Sequence, residues 1–286
     1  MTEAVTPAPA DGAERSRPGF GYVLVHGGSM SARFWDRVVP LLDGPVVAPD
    51  LPGAEALPAD PMRTTIAEAA DVVVAAVDDA GFEQVVLVAH SAGGLVVPAV
   101  VERLAGRVEH IVLNAASVPP DGGCGLDCMK PHHRDLTRDA VAAARRDGRV
   151  ITTPGPPKDL EPLRASYGGP PLSDDDLAFV ADPQRLVRDT FNRFFEPVSW
   201  RAVGDVPITY LRNLRDGPVP LALQDAMLAN LPHVTVVDLD AGHIPAITDP
   251  HLFAAAVHTA VTAVTAVTAS PEPPRHWADD ATMPKS

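Results

Sequence analysis

The chain has 286 residues, enough for one large domain or a domain with a sizeable insertion, and its 46% apolar content can fill a core. A formal charge of −14 without clusters of Lys and Arg argues against nucleic acid, whose phosphates select such clusters. No apolar run approaches the ~18 residues of a membrane span, residues 1–20 lack the apolar centre of a signal peptide, and two cysteines make no disulfide framework. These features point to a soluble cytosolic protein with no membrane partner, and they leave the oligomeric state open.

Taken in order, residues 1–18 are Pro, Ala and charge without periodicity, the pattern of a disordered tail. Tyr22-Val23-Leu24-Val25 is a buried strand closed by His26-Gly27-Gly28. A helix is expected over Ala32–Leu42, with Phe34, Val38, Val39 and Leu42 inward. Val46–Asp50 is a second strand, closed by the Leu51-Pro52-Gly53 turn. From Thr65 the pattern turns helical: Ile66, Ala69, Ala70, Val73, Val74 and Val77 form one stripe. Thr65 and Glu68 fit a capping box, and Gly81 a helix stop. Val85-Val86-Leu87-Val88-Ala89 is a short buried strand, with His90 and Ser91 at its end. A helix follows from Ala92 toward Leu104, and Pro98 inside it predicts a kink. His110–Ala116 is the next strand.

Strand and helix alternating at this spacing predict an α/β fold, a mostly parallel sheet with helices on both faces. After Ser117 the pattern changes: prolines cluster, no buried strand is evident, and helical stretches appear near Asp135–Arg146 and Pro183–Phe195. The α/β pattern resumes with the strand Ile208–Arg212, a helix near Leu221–Leu231, the strand Val234–Leu239 and a helix from Pro250 to Ala269. The expected organisation is therefore a core of 19–117 and 205–270, a helical cap inserted at 118–204, and tails at 1–18 and 271–286.

The chemistry centres on Ser91. A serine at a sharp strand-to-helix turn has its hydroxyl raised above the sheet, where the first helical N–H groups point at whatever it attacks. A hydroxyl needs a base to take its proton, and the base needs a third group to fix its tautomer. His243 follows the last predicted strand and Asp216 follows the one before it. Both stand at the sheet edge where open α/β sheets carry their sites. Asp121 and Asp240 are rivals for Asp216. His26 and His90 read as structural residues beneath the site, and Asp50 as the residue that fixes its turn.

With His26-Gly27-Gly28, Asp50-Leu51-Pro52-Gly53, the Ser91 turn, Asp216 and Gly242-His243 in this order, the chain resembles the α/β-hydrolases, in the branch of serine esterases and hydroxynitrile-lyase-like proteins with a helical cap. The resemblance covers Gly21 to about Thr262. It implies Ser91 as nucleophile, His243 as general base and acid, Asp216 as orienting carboxylate, and the backbone N–H groups of Gly28 and Ala92 as oxyanion hole. It calls for no cofactor. One departure is Ala89, where the usual Gly-x-Ser-x-Gly turn has its first glycine; a small residue suffices there because strand and helix pass close together.

The nucleophile prunes the chemistry. Relatives that open epoxides or remove halide attack with a carboxylate, which Ser91 is not. Those that cleave cyanohydrins place a lysine after the catalytic histidine, where this chain has Ile244. What remains is acyl transfer to water from an ester, thioester or lactone of a small molecule. A serine acyltransferase, a C–C bond hydrolase and a binding protein with a retained pocket are the alternatives. Cys124, Cys128, His132 and His133 invite a zinc reading. Gly122, Gly123 and Gly125 oppose the helix it would need, so no metal is expected.

Overall fold

The computed structural model describes residues 19–54, 57–151, 159–185 and 190–268; the expected tails at 1–18 and 271–286 lie outside the described residues. Six strands form one sheet: β1 (Phe20–Val25), β2 (Val46–Val47), β3 (Gln84–His90), β4 (Val108–Asn114), β5 (Ile208–Asn213) and β6 (Thr235–Leu239). They lie in the order β2-β1-β3-β4-β5-β6, and every pair is parallel. Parallel strands are covered on both faces, which is why β1 and β3 read as continuous apolar runs rather than alternating ones.

Alternate residues feed two cores. Val23, Val25, Val85, Leu87, Ala89, Ile111 and Leu113 pack against the stripe Ile66, Ala69, Val73 and Val77 of α1 (Ile66–Asp79) and against Val97, Val100 and Leu104 of α2 (Val97–Leu104). On the opposite face, Tyr22, Leu24, Val86, Val88, Val112 and Leu211 meet Phe34, Trp35 and Val38, together with Phe253 and Val257 of the C-terminal helix. The α1 capping box is formed, Thr65 and Glu68 exchanging side-chain and backbone bonds, and Gly81 stops the helix with φ +68°.

The sequence reading needs correction where prolines intervene. The helix expected over 32–42 is two 3-10 turns, Ala32–Trp35 and Val39–Leu41, because Pro40 has no N–H to bond back toward Asp36 and its ring crowds that carbonyl. Strand β2 stops after two residues, short of the expected Asp50; Pro49, two residues on, has no N–H for a ladder. The helix expected from Ala92 toward Leu104 is divided just before Pro98. Residues Ser91–Leu95 make a 3-10 turn, α2 begins at Val97, and Pro98 falls in its first turn, where a missing N–H costs nothing.

Between β4 and β5 lie α3 (Pro131–Asp147), α4 (Glu161–Arg164) and α5 (Asp174–Ala181). The helix expected over 183–195 is not continuous: α5 precedes it, Asp182 turns extended before Pro183, and Pro183–Arg185 and Phe191–Phe195 are 3-10 turns, with 186–189 outside the described residues. The signal for α5 was a Ser173–Asp176 capping box. After β5 come α6 (Leu221–Leu228), α7 (Pro245–Thr248) and α8 (Pro250–Thr268). Among the described residues no helix is long and apolar enough to cross a membrane.

Candidate active site

The strand order reverses between β1 and β3, since β2 lies on one side of β1 and all later strands lie on the other. Connections therefore diverge there and open a crevice at the strands' C-terminal ends. Ser91 stands at that point, at the end of β3, with φ +49°. For a residue with a side chain this conformation costs about 1–3 kcal/mol, held in place by the surrounding packing. The small neighbours are needed for that packing. A Cβ on Gly93 would lie 2.7 Å from the carbonyl oxygen of His26 and 2.9 Å from that of Val25, and one on Gly94 would lie 2.5 Å from that of Ser117. Ala89, in contrast, buries its methyl group within the core beside α1 and α2.

The loop after β1 is fastened from below. His26 accepts the N–H of Leu51 at Nε2 (3.0 Å), so Nδ1 carries the proton and donates to the carbonyl of Gly27 (2.8 Å). Burial pushes its pKa down to about 4, so the ring is neutral in this role. Gly27 lies so close to the turn that a Cβ there would sit 3.0 Å from both the His90 ring and the Ser91 Cβ. Asp50 accepts the N–H of Ala32 at 2.7 Å, so it caps the turn that follows this loop rather than its own. Gly28 belongs to the fastened loop. Ala92 is the second residue of the 3-10 turn, where N–H groups lack acceptors within the turn.

Asp216 and His243 arrive from the other side, after β5 and β6. His243 Nε2 lies 3.1 Å from Ser91 Oγ, and Nδ1 lies 2.6 Å from Asp216 Oδ2. The Asp216 side chain is fully buried and that of His243 only 8% exposed. Val219 donates its N–H to Asp216 Oδ1 at 2.6 Å, which leaves Oδ2 for the histidine. With a carboxylate at Nδ1, that nitrogen carries the ring proton and Nε2 presents a lone pair to the serine. The rivals are engaged elsewhere. Asp121 accepts from Ser199 and pairs with Arg201, and Asp240 pairs with Arg215. His90 stacks on Phe34 and lies with its ring 4.7 Å from that of His243; burial holds it well below its usual pKa.

The sequence reading missed the strap Tyr167-Gly168-Gly169. The Tyr167 carbonyl accepts N–H groups from both His243 (2.8 Å) and Gly217 (3.2 Å), joining the two loops that carry His243 and Asp216. Gly168 forms an isolated bridge with Asp216; a Cβ there would meet the Arg215 carbonyl oxygen at 2.0 Å, and φ is +74°. The Lys130 ammonium donates to the Gly217 carbonyl from the same segment. Only the paired glycines at 168 and 169 hinted at this in the sequence.

Of the aromatic residues between β4 and β5, Trp200 is buried in the core, Phe194 packs against it, and the Arg145 guanidinium lies over the Phe195 ring. Burial pushes the Cys128 thiol up to about 12, the opposite of what a thiolate ligand requires, while His132 and His133 are exposed on α3. A cavity of about 230 Å³ lies behind the His243 loop, lined by Tyr167, Arg215, Gly242 and Ile244 among others; Ser91 does not line it.

Known proteins share this fold. The profile of the alpha/beta hydrolase family matches residues 22–256, and the chain belongs to that family. Methylesterase 17 of Arabidopsis thaliana is 26% identical over 186 residues, covering 63% of this chain and 67% of its own. A second protein of that plant, with the provisional name methylesterase 11, chloroplastic, is 29% identical over 243 residues. That match covers 80% of this chain but 60% of the relative, so the chain spans less than two thirds of it. Among solved structures, an extracellular alpha/beta-hydrolase from a Paenibacillus species, described as sharing structural and functional homology with tobacco salicylic acid binding protein 2, superposes with a TM-score of 0.71. It is 21% identical, over 84% of this chain and 98% of that one.

Proposed function

We propose that this chain is a serine ester hydrolase acting on esters of small organic acids, methyl esters foremost, through Ser91, His243 and Asp216. The observation that carries the proposal is the unbroken chain of contacts from Asp216 Oδ2 to His243 Nδ1 and from Nε2 to Ser91 Oγ, at 2.6 and 3.1 Å. The methylesterase names of its relatives support the ester class.

In this reading Ser91 Oγ attacks the ester carbonyl carbon while its proton passes to His243 Nε2. The oxyanion that forms is held by the N–H groups of Gly28 and Ala92, which are fixed before the substrate arrives. The tetrahedral adduct collapses, the leaving alkoxide takes the proton from His243, and an acyl-serine remains. Water, deprotonated by the same nitrogen, attacks the acyl carbon, and the acid departs as Ser91 regains its proton. Asp216 stays ionised throughout and steadies the imidazolium. Ile244, buried and apolar, stands after His243, in the place where a cyanohydrin lyase has its lysine.

The described parts of 118–204 would form the cap, a reading supported by the close packing of Leu95, Phe194 and Gly125, where a Cβ would lie 2.8 Å from both neighbours. A small-molecule substrate enters beneath them, and no cofactor takes part. The two unpaired cysteines fit a reducing compartment, the cytosol.

The test is turnover of p-nitrophenyl acetate and of methyl esters of small aromatic and aliphatic acids. Wild type is expected to cleave some of these, with Ser91→Ala down by on the order of 10⁶ in kcat. A fluorophosphonate should label wild type at Ser91 and leave the variant untouched. Folded wild type with neither turnover nor labelling would overturn the proposal.

A further inference from the structure

Asp216 rides on a loop beyond the end of the sheet. β5 ends at Asn213 and α6 begins at Leu221. Leu214 and Arg215 still donate N–H groups to the carbonyls of Leu239 and Ala241, but at Asp216 the chain turns back, its N–H going to the Asn213 carbonyl. The carboxylate then depends on the return limb, because Val219 N–H holds its Oδ1.

That limb is tied down by one side chain from α6, Gln224, which is fully buried. Its Oε1 accepts the N–H of Asn213 at 3.0 Å. Its Nε2 donates to the carbonyls of Asn213 and of Val219, both at 2.9 Å. A single amide thus joins the two feet of the acid loop with three hydrogen bonds, a set that only an amide can make because it needs an acceptor and two donors in one plane.

The same amide leads into a wider buried path. Asn213 Nδ2 donates to the His243 carbonyl at 3.4 Å, and Asn213 Oδ1 accepts from Asn114 at 2.9 Å. Asn114 in turn faces His90 Nδ1, whose ring lies against His243. Buried amides with their partners satisfied specify one arrangement, since any shift leaves a desolvated group unpaired.

We propose that Gln224 is a positioning residue of the site: by clamping Asn213 to Val219 it sets the height and rotation of the Asp216 carboxylate opposite His243. The proposal rests on the reading of Asp216, His243 and Ser91 as the catalytic triad. A glutamine that merely filled space between α6 and the loop would affect stability alone. One that positions Asp216 must act through Asp216.

Two measurements on the purified full chain separate these roles. The first needs no substrate: the far-downfield proton resonance of His243 Nδ1–H, identified by its loss in His243→Gln, reports the hydrogen bond to Asp216. It is expected to shift or broaden in Gln224→Met, and an unchanged resonance would overturn the proposal. The second is kinetic. Gln224→Met should lower kcat about 10- to 100-fold, as a misplacement near 1 Å does, with KM within about threefold. Added to Asp216→Ala it should cost nothing more; a further loss of the same size would place its effect elsewhere and overturn the proposal. If Gln224→Met does not fold, Gln224→Glu, which keeps the size and the acceptor but loses the paired donors, is read in the same way. Absence of Ser91-dependent turnover in wild type would sink the hydrolase reading, and the resonance would still decide the role of Gln224.

Discussion

The two sides of the crevice are built by different means. On the side of the proposed nucleophile, Ser91 and the His26-Gly27-Gly28 loop are continuations of adjacent central strands, and backbone packing fixes them: φ +49° at Ser91, and Gly93 and Gly94, where a Cβ would strike a neighbouring carbonyl. On the side of the proposed acid and base, Asp216 and His243 stand on loops after the last two strands, held by side-chain amides and by a main-chain strap from the segment between β4 and β5. Where main chain meets main chain, as at Gly93, Gly94 and Gly168, no extra atom fits; where side-chain amides do the holding, small changes are tolerated and failures are graded.

The sharpest challenge to this contrast is Asp216→Asn. An amide can present its NH₂ to His243 Nδ1 and so select the wrong tautomer, with an expected fall in kcat of about 10⁴ and an unchanged fold. A loss below about tenfold, measured on a short p-nitrophenyl ester, would mean that His243 needs no carboxylate partner. Next in size is Gly28→Pro, which deletes one proposed oxyanion donor; kcat should drop ~100-fold or more while fluorophosphonate labelling slows in parallel. Gly168→Ala probes the strap. Its methyl group would press on the Arg215 carbonyl at a backbone angle suited to glycine, so activity should fall about tenfold together with the melting temperature. Normal activity with a normal melt would show that the strap can move without disturbing the two loops.

The smallest effect concerns pH and the nucleophile side. Folded His26 has a pKa near 4, against 6.5 for an unperturbed histidine. Below about pH 6.5 the unfolded chain therefore binds a proton that the folded chain refuses. Stability is level above that value and falls between about pH 6.5 and pH 4, by about 1.4 kcal/mol per pH unit per such histidine in mid-window. His110, also lowered to about 4, adds to the slope. Urea unfolding of wild type and His26→Gln at pH 7.5, 6.5 and 5.5 checks this; identical slopes would show that His26 is not the titrating group.

The same division explains what the sequence revealed. The nucleophile side was legible because its constraints are local: an apolar run, small residues around Ser91, and His26-Gly27-Gly28 at the end of β1. Asp216 and His243 were visible as residue types at strand ends, but their holders were not. Asn114 lies 99 residues before Asn213, and nothing in residue spacing says that its amide converges with those of Asn213 and Gln224. Tyr167 acts through its carbonyl, a group every residue carries, and only Gly168-Gly169 marked the place. Prolines misled in both directions: Pro98 falls in the first turn of α2, while Pro40 breaks the helix expected around it and Pro183 follows the end of α5, a helix the spacing did not suggest.

The Tyr167 strap bears on how such an enzyme could be re-engineered. Exchanging the proposed cap for that of a relative is a route to new substrates, and it treats the 118–204 segment as an interchangeable part. Here one carbonyl of that segment is a shared acceptor for the loops of Asp216 and His243. A graft replacing the whole segment would remove a fastening of the proposed reaction centre along with the proposed cap. One spliced upstream of residue 165, leaving Tyr167-Gly168-Gly169 in place, could change the walls of the binding site while its chemistry stayed intact.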